Sequence, residues 1–455
     1  MQLQKASWLL CLLIPACAST GASQREPVAA WQDSHGAGPW DSEADVDSNN
    51  AQESTLAPNA QLSALLIHAR QNNPRLSAAF HAWRASVEDI PLATKLPEPR
   101  LMFGVFLEEV ETRTGPMEGK VSITQALPWF GKRSLAGDVA SARAQAMGEG
   151  VLRALLEVDR QVKNAWYEYA WLQQAVEVAR AHQSLLQHWQ NVARTRLDLG
   201  ITNPSEILRV ELELGQLDDR LLSLADLERP LRAKLNAALN RPTNAELAKP
   251  GYPLAGAVEV DSASLLANLA ETSPRLRQLQ WQVDAAQQGR ELAGKAGYPD
   301  LTVGVDYTLI GSTGASGSGD DAVALTLGFS LPVWRDAYRA QRDGARSKLL
   351  GARAQWEQAH NELGAELEMA LFKLRDTSRH LELLNNSLIP KGQEAIGIMG
   401  DTYQSGESSF IDVIDAQRIL LEFQLQAVRA EADRAQALSR VEELSGVSLS
   451  TTQNN

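Results

Sequence analysis

The apolar positions of this chain follow two periods. From 151 to 179, Val151, Leu155, Val158, Val162, Ala165, Tyr169, Leu172, Val176 and Ala179 recur at alternating spacings of three and four, which is the seam of a coiled-coil helix. Helical patterning around that seam runs from about 131 to 199, on the order of 100 Å at 1.5 Å per residue. A compact domain has no room for such a helix. Elsewhere the period drops to two: Leu301, Val303, Val305, Tyr307 and Leu309 alternate with Thr302, Gly304, Asp306 and Thr308. Val323, Leu325, Leu327, Phe329 and Leu331 alternate with Ala324, Thr326, Gly328 and Ser330. Between these two strands lies a polar loop, Gly311 to Asp321.

The same plan occurs twice. Asn73-Pro74-Arg75-Leu76 returns as Ser273-Pro274-Arg275-Leu276, and Pro99, Leu101, Gly104 and Val105 return as Pro299, Leu301, Gly304 and Val305, an offset of 200 (274 − 74). Leu127-Pro128 returns as Leu331-Pro332, an offset of 204 (331 − 127), and Gly200 as Gly406, an offset of 206 (406 − 200). A slowly growing offset over separate segments marks a tandem duplication. The division is a first repeat over 59–240, with strands about 100–110 and 119–128, a linker over 241–260 rich in Pro and Gly, a second repeat over 261–447, with strands about 300–310 and 322–332, and a tail over 448–455. In the first copy Gly115-Pro116 marks the loop between strands, and the stretch Leu101 to Leu107 is apolar in both phases. Gly148, Gly150, Gly344, Gly351 and Gly364 are candidate bends in the long helices, and Pro230 and Pro390 candidate kinks.

Each repeat ends in a helical hairpin. Gly406 followed by Glu407-Ser408-Ser409 is the signature of a left-handed helix end and a new N-terminus, and Leu199-Gly200-Ile201 with Asn203-Pro204 repeats it. Just past the second turn, Asp412 and Asp415 share one helix face.

Composition narrows the reading. A formal net charge of −13 with no basic run argues against nucleic acid. Lys5 followed by apolar Trp8 to Ile14 predicts an export signal over 1–16, and Leu13-Ile14-Pro15-Ala16-Cys17 resembles a lipobox with Cys17 as the lipidated residue. Residues 17–58 are polar and aperiodic, an extended lead. Cys11 falls inside the signal, so no disulfide is expected in the mature chain. No run approaches the roughly 20 apolar residues of a spanning helix; any crossing must be made of strands. Alternating segments of about ten residues match outer-membrane strands, and four of them cannot close a barrel, which takes about eight. A barrel therefore requires copies. The seven His are scattered, and His182 and His188 are six apart, off a common helix face, so the expectation is that they sit on helix surfaces and ligate no metal. Phosphate-loop, Gly-x-Ser-x-Gly and His-Glu-x-x-His motifs are absent, so no enzyme and no cofactor is expected.

The paired Pro-Arg-Leu helices, the two strand pairs and the two tips, above all Tyr403-x-x-Gly406 followed by Ile411-Asp412-Val413-Ile414-Asp415-Ala416-Gln417, resemble the TolC family of outer-membrane efflux proteins over nearly the whole mature chain. The resemblance implies a mixed α and β membrane protein of two tandem repeats, each with two transmembrane strands and long coiled-coil helices. It implies a homotrimer whose twelve-stranded β-barrel in outer-membrane lipid is continuous with a periplasmic α-helical tunnel, passing substrates from a periplasmic adaptor and, through it, an inner-membrane pump. Ile123 to Arg133, with Leu127-Pro128-Trp129-Phe130-Gly131-Lys132, looks like the heavy-metal efflux branch. By the same resemblance Asp412, Asp415 and Tyr403 are gate residues, with Tyr403 bonding across protomers, and Ser408 stands where the family often has a basic lock. Arg196, Leu199, Gly200 and Ile201, with Ser405 and Gly406, are the exposed tips for adaptor docking. A periplasmic adaptor and a structural coiled-coil lipoprotein are the alternatives; the first has one hairpin where this chain has two, and the second leaves the strands idle.

Overall fold

The computed structural model describes residues 60–201, 203–251, 260–314 and 319–449. The signal, Cys17, the lead over 17–58, part of the linker and the chain from 450 lie outside them. In chain order the elements are α1 (Leu62–Asn72), α2 (Pro74–Thr94), β1 (Arg100–Thr112), β2 (Gly115–Leu127), α3 (Lys132–Asp198), α4 (Pro204–Ala238), α5 (Ser262–Ala267), α6 (Leu269–Thr272), α7 (Pro274–Gly294), β3 (Leu301–Ile310), β4 (Ala322–Phe329), α8 (Arg335–Leu383), α9 (Ile389–Ser405) and α10 (Phe410–Ser445). Two compact units are formed, one from 81–149 and 277–358, the other from 60–80, 150–276 and 359–449. Each repeat contributes to both.

In the first unit the strands form one antiparallel sheet in the order β1-β2-β3-β4, so the β2–β3 ladder joins the repeats. Residues directly opposite share a face, and the register sorts the two faces by chemistry. Leu101, Ile123, Val305 and Leu325 form one row and Phe103, Val121, Tyr307 and Val323 the next. On the other face Met102, Ser122, Asp306 and Ala324 are aligned, then Arg100, Thr124, Gly304 and Thr326. Asp306 is buried there, accepting from Ser122 and from Lys120 Nζ at 3.0 Å. The apolar face is bare: Phe103 is 74% exposed and Leu325 70%. At about 25 cal/mol per Å² of apolar surface kept in water, this face is the costliest feature of a lone copy. Among the described residues β1 and β4 each pair on one side only.

Two expectations for the strands are corrected. Gly115-Pro116 does not form the loop; β2 begins at Gly115, which pairs with Thr112, and the turn is Arg113-Thr114. Gly115 has φ 134°, and a Cβ there would fall 1.8 Å from the Gly311 carbonyl oxygen, so glycine serves a close ladder contact rather than a loop. At the other end β4 stops at Phe329, leaving Leu331 beyond it. Ser330 still donates to Asp300 O at 3.0 Å, but Pro332 has no N–H with which to extend the ladder. The doubly apolar stretch of β1 has its cause in a bulge: the register shifts between Val105, opposite Gly119, and Val110, opposite Met117, so the alternation restarts out of phase. Strand ends are pinned to the helix starts by Asp300, which accepts from Trp129 N and Lys132 Nζ, both at 2.8 Å, while Trp129 stacks on Tyr298.

The second unit is helical. The α3 seam is buried as patterned, with Val151, Val158, Val162 and Ala179 at 0% exposure. The seam packs with Leu217 and Leu224 of α4 and with Val413, Ile414 and Leu425 of α10 in one cluster. The candidate glycine bends are not breaks: α-helical structure runs through Gly344, Gly351 and Gly364. In α3, Gly148 instead admits the Trp83 indole, whose Nε1 would lie 3.2 Å from a Cβ. Pro230 is taken inside α4. Pro390 does mark an irregularity, since one π turn over Leu384–Leu388 precedes it; a proline that cannot donate and crowds the preceding turn is accommodated by such a widening.

Candidate functional site

The two hairpin tips, one around Gly200 and Asn203 and the other around Gly406 and Ser409, lie in the helical unit and are built alike. Gly200 and Gly406 both take left-handed φ, 70° and 85°, closing α3 and α9. Asn203 then caps α4, accepting from Ser205 N at 2.8 Å, and Ser409 caps α10, accepting from Ile411 N at 3.2 Å. Both conformations follow from residue type: glycine for positive φ, a short oxygen-bearing side chain for the orphan N–H groups.

The predicted gate residues have local partners. Asp412 is exposed and completes a capping box, accepting from Ser409 N at 3.3 Å. Asp415 accepts from Arg418 at 3.1 Å. Tyr403, expected to bond across protomers, is buried at 2% exposure and donates its hydroxyl to Glu206 Oε2 at 2.6 Å within the same chain. Its ring packs edge-on to Trp189, 6.3 Å between centroids, and lies 5.0 Å from Phe410. Gly400 makes room, because a Cβ there would meet the Trp189 ring at 2.8 Å.

Of the six docking residues, Leu199, Gly200, Ile201, Ser405 and Gly406 are exposed. Arg196 differs from its expectation. It is half-buried, and its Nη1 donates to the carbonyls of Tyr403 and Gln404 at 3.0 and 3.1 Å. Its guanidinium carbon sits 4.5 Å from the Tyr403 ring centroid. A cation at the last carbonyls of α9 complements the negative end of that helix and leaves Arg196 as a tie between the two tips. Ser408, in the place of the basic lock, bonds instead to Thr402 Oγ1 at 3.0 Å.

Sequence reasoning missed Glu206, Trp189 and the inward turn of Arg196. Glu206 had a signal: it is the repeat equivalent of Asp412 (412 − 206 = 206), the third residue of its helix, as Asp412 is of α10. The expectation that His sit on surfaces fails at His182, which is 4% exposed between Gln417 and Gln424. No group of three or more His, Cys, Asp or Glu that could hold a metal is found among the described residues.

Residues 265–447 match the outer membrane efflux protein family. The chain is 22% identical over 395 residues to the cobalt-zinc-cadmium resistance protein CzcC of Cupriavidus metallidurans, covering 85% of this chain and 90% of that one. Among solved structures, the outer membrane protein VceC of Vibrio cholerae superposes with a TM-score of 0.70 at 17% identity, covering 85% of this chain and 96% of that one. CusC, described in terms of transmembrane channel formation, superposes with a TM-score of 0.70 at 14% identity, covering 89% and 96%. The open state of the MtrE outer membrane channel of Neisseria gonorrhoeae gives 0.68 at 17%, covering 87% and 91%. At these identities the structural likeness establishes the fold.

Proposed function

From the match of residues 265–447 to the outer membrane efflux protein family and the likeness of the chain to CzcC, we infer that it is a TolC-family protein, one protomer of a homotrimeric channel that carries divalent transition-metal cations out of the cell. Three copies of the four-stranded sheet close a twelve-stranded barrel in the outer membrane. The hairpin tips meet a periplasmic adaptor that links the channel to an inner-membrane pump. The observation that carries this reading is the sheet: one face apolar and bare, the other polar, and both edges open among the described residues. Lipid outside, water inside and a neighbouring copy at each edge satisfy all three conditions at once. Exposed Phe130 and Trp334, with Tyr298, stand at the strand ends where aromatic residues favour a membrane–water boundary.

The metal class is supported by the cobalt-zinc-cadmium resistance of the Cupriavidus relative and by the carboxylates of Asp412 and Asp415, which become acidic rings when repeated about a three-fold axis. A strain lacking the gene should grow poorly on cobalt, zinc or cadmium and normally on bile salts and dyes; the reverse pattern refutes the metal assignment and keeps the channel. For the rings, Asp412→Ala with Asp415→Ala is expected to raise conductance in a planar bilayer and weaken block by multivalent cations. Ser409→Ala is the control. It breaks the same capping box, at about 1 kcal/mol, but removes no charge, so cation block should stay as it is.

A further inference from the structure

His182 on α3 lies about five turns from the Gly200 tip and has no part in the tip contacts. Gln417 and Gln424 of α10 hold it from both sides. Gln424 presents Oε1 at 2.6 Å from Nε2, so Nε2 carries the proton and donates; Gln417 presents its amide nitrogen at 2.6 Å from Nδ1, which accepts. The imidazole is therefore neutral, with both nitrogens used. Gln417 is 2% exposed, yet its Oε1 has no hydrogen-bond partner, a cost of about 1–3 kcal/mol for a buried acceptor. Beside the pair is a cavity of about 120 Å³ lined by His182 and Gln417 together with Glu213 and Arg220 of α4 and Arg418 and Glu422 of α10. Arg220 pairs with Glu422 at 2.8 Å and Arg418 with Asp415 at 3.1 Å. The five charged groups about the imidazole, two arginines and three carboxylates, sum to −1, and both arginines are paired.

We propose that His182 is an acid-operated joint between α3 and α10, in which a proton taken up at Nδ1 turns the Gln417 amide over onto its unpartnered oxygen. Once Nδ1 carries a hydrogen, it can no longer accept from the Gln417 amide. Rotation of that amide brings Oε1 onto the new N–H and swings the NH₂ toward the cavity. The unpartnered oxygen is thus an acceptor used only in the charged state. A positive charge then sits in the seam that joins α3 to α10, the helix that starts at the second tip, and the seam loosens. Burial holds the imidazole below its ordinary pKa of 6.5, with the Gln424 bond offsetting part of the shift. The sign follows: the open chain binds the proton first as pH falls, so the seam has its full stability above about 6.5 and loses it down through the lower folded value. The joint stands on its own geometry, and only its consequence for conductance rests on the tips being a gate.

The test is hydrogen exchange on the assembled full-length protein in lipid nanodiscs, with protection at 175–190 and 410–424 compared between about pH 7.5 and about pH 5.5 after correction for intrinsic rates. Protection should fall by up to about tenfold, the limit set by the one unit between pH 5.5 and the ordinary imidazole pKa of about 6.5. In His182→Gln, which keeps the size and both hydrogen bonds without a titrating ring, it should stay flat. A flat wild type, or an equal fall in His182→Gln, overturns the joint. Should that variant fail to assemble, Gln417→Leu removes the latent acceptor and should make the acid loss larger; an unchanged loss overturns the proposal equally. Conductance at neutral pH is recorded alongside. A protein that conducts without a His182-dependent loss retains the channel and discards the joint, and one that does not conduct even as Arg196→Ala discards the channel reading while the exchange result still decides the joint.

Discussion

Arg196→Ala is expected to favour the open channel at neutral pH. Two hydrogen bonds from a cation to the Tyr403 and Gln404 carbonyls, 3.0 and 3.1 Å long, and a guanidinium 4.5 Å from the Tyr403 ring centroid together contribute about 2–3 kcal/mol to holding the tips together. Their loss should raise the open-to-closed ratio roughly 30- to 150-fold, at about 1.4 kcal/mol per factor of ten. Arg196→Lys should recover only part of the closed state, because an ammonium offers neither the planar fork nor the same stacking. Tyr403→Phe, which strands the Glu206 carboxylate, should shift the ratio in the same direction and by less. Single-channel recording decides between two roles. If Arg196 served only as a docking residue, conductance would be unchanged and adaptor binding lost.

The second large effect lies in the sheet. Leu325 is 70% exposed on β4, and an exposed residue of a water-soluble protein tolerates substitution within about 0.5 kcal/mol. In lipid, Leu325→Arg costs about 2–4 kcal/mol at mid-depth, or about 6–12 kcal/mol per trimer. Trimer recovered from outer-membrane fractions should therefore drop severely. Ala324→Arg, one residue away, points to the opposite face and lies across from Asp306, where a cation finds a carboxylate and water. It should assemble nearly as the wild type does. Equal tolerance of both substitutions contradicts a lipid-facing surface.

How far these features could be read in the sequence depends on how local their causes are. The α3 seam was legible because burial every three or four residues leaves a periodic trace, and Val151, Val158 and Val162 are fully buried. The tips were legible because positive φ selects glycine and an orphan N–H selects Ser or Asn, so Gly406 and Ser409 mark their own geometry. The β1 bulge was not, since Phe106 and Leu107 are apolar whichever way the strand faces, and only pairing with β2 sets the phase. Arg196 near a helix end has the pattern of an exposed cation. Its inward turn depends on the carbonyls of Tyr403 and Gln404, far along the chain. His182 was judged against other histidines, whereas its partners are two glutamines of α10, a residue type that carries no periodic or ligand signal.

The channel reading requires that the β1 edge of one copy meet the β4 edge of the next. Single cysteines are placed along β1, from Leu101 to Val105, and combined pairwise with cysteines along β4, from Val323 to Leu327, in a chain whose Cys17 is replaced by serine. After mild oxidation in membranes, the register that aligns the two edges should give a covalent trimer on denaturing gels, with dimer as the intermediate. If every pairing leaves only monomer, while the same membranes contain folded protein, the sheet does not close with copies of itself and the channel account fails.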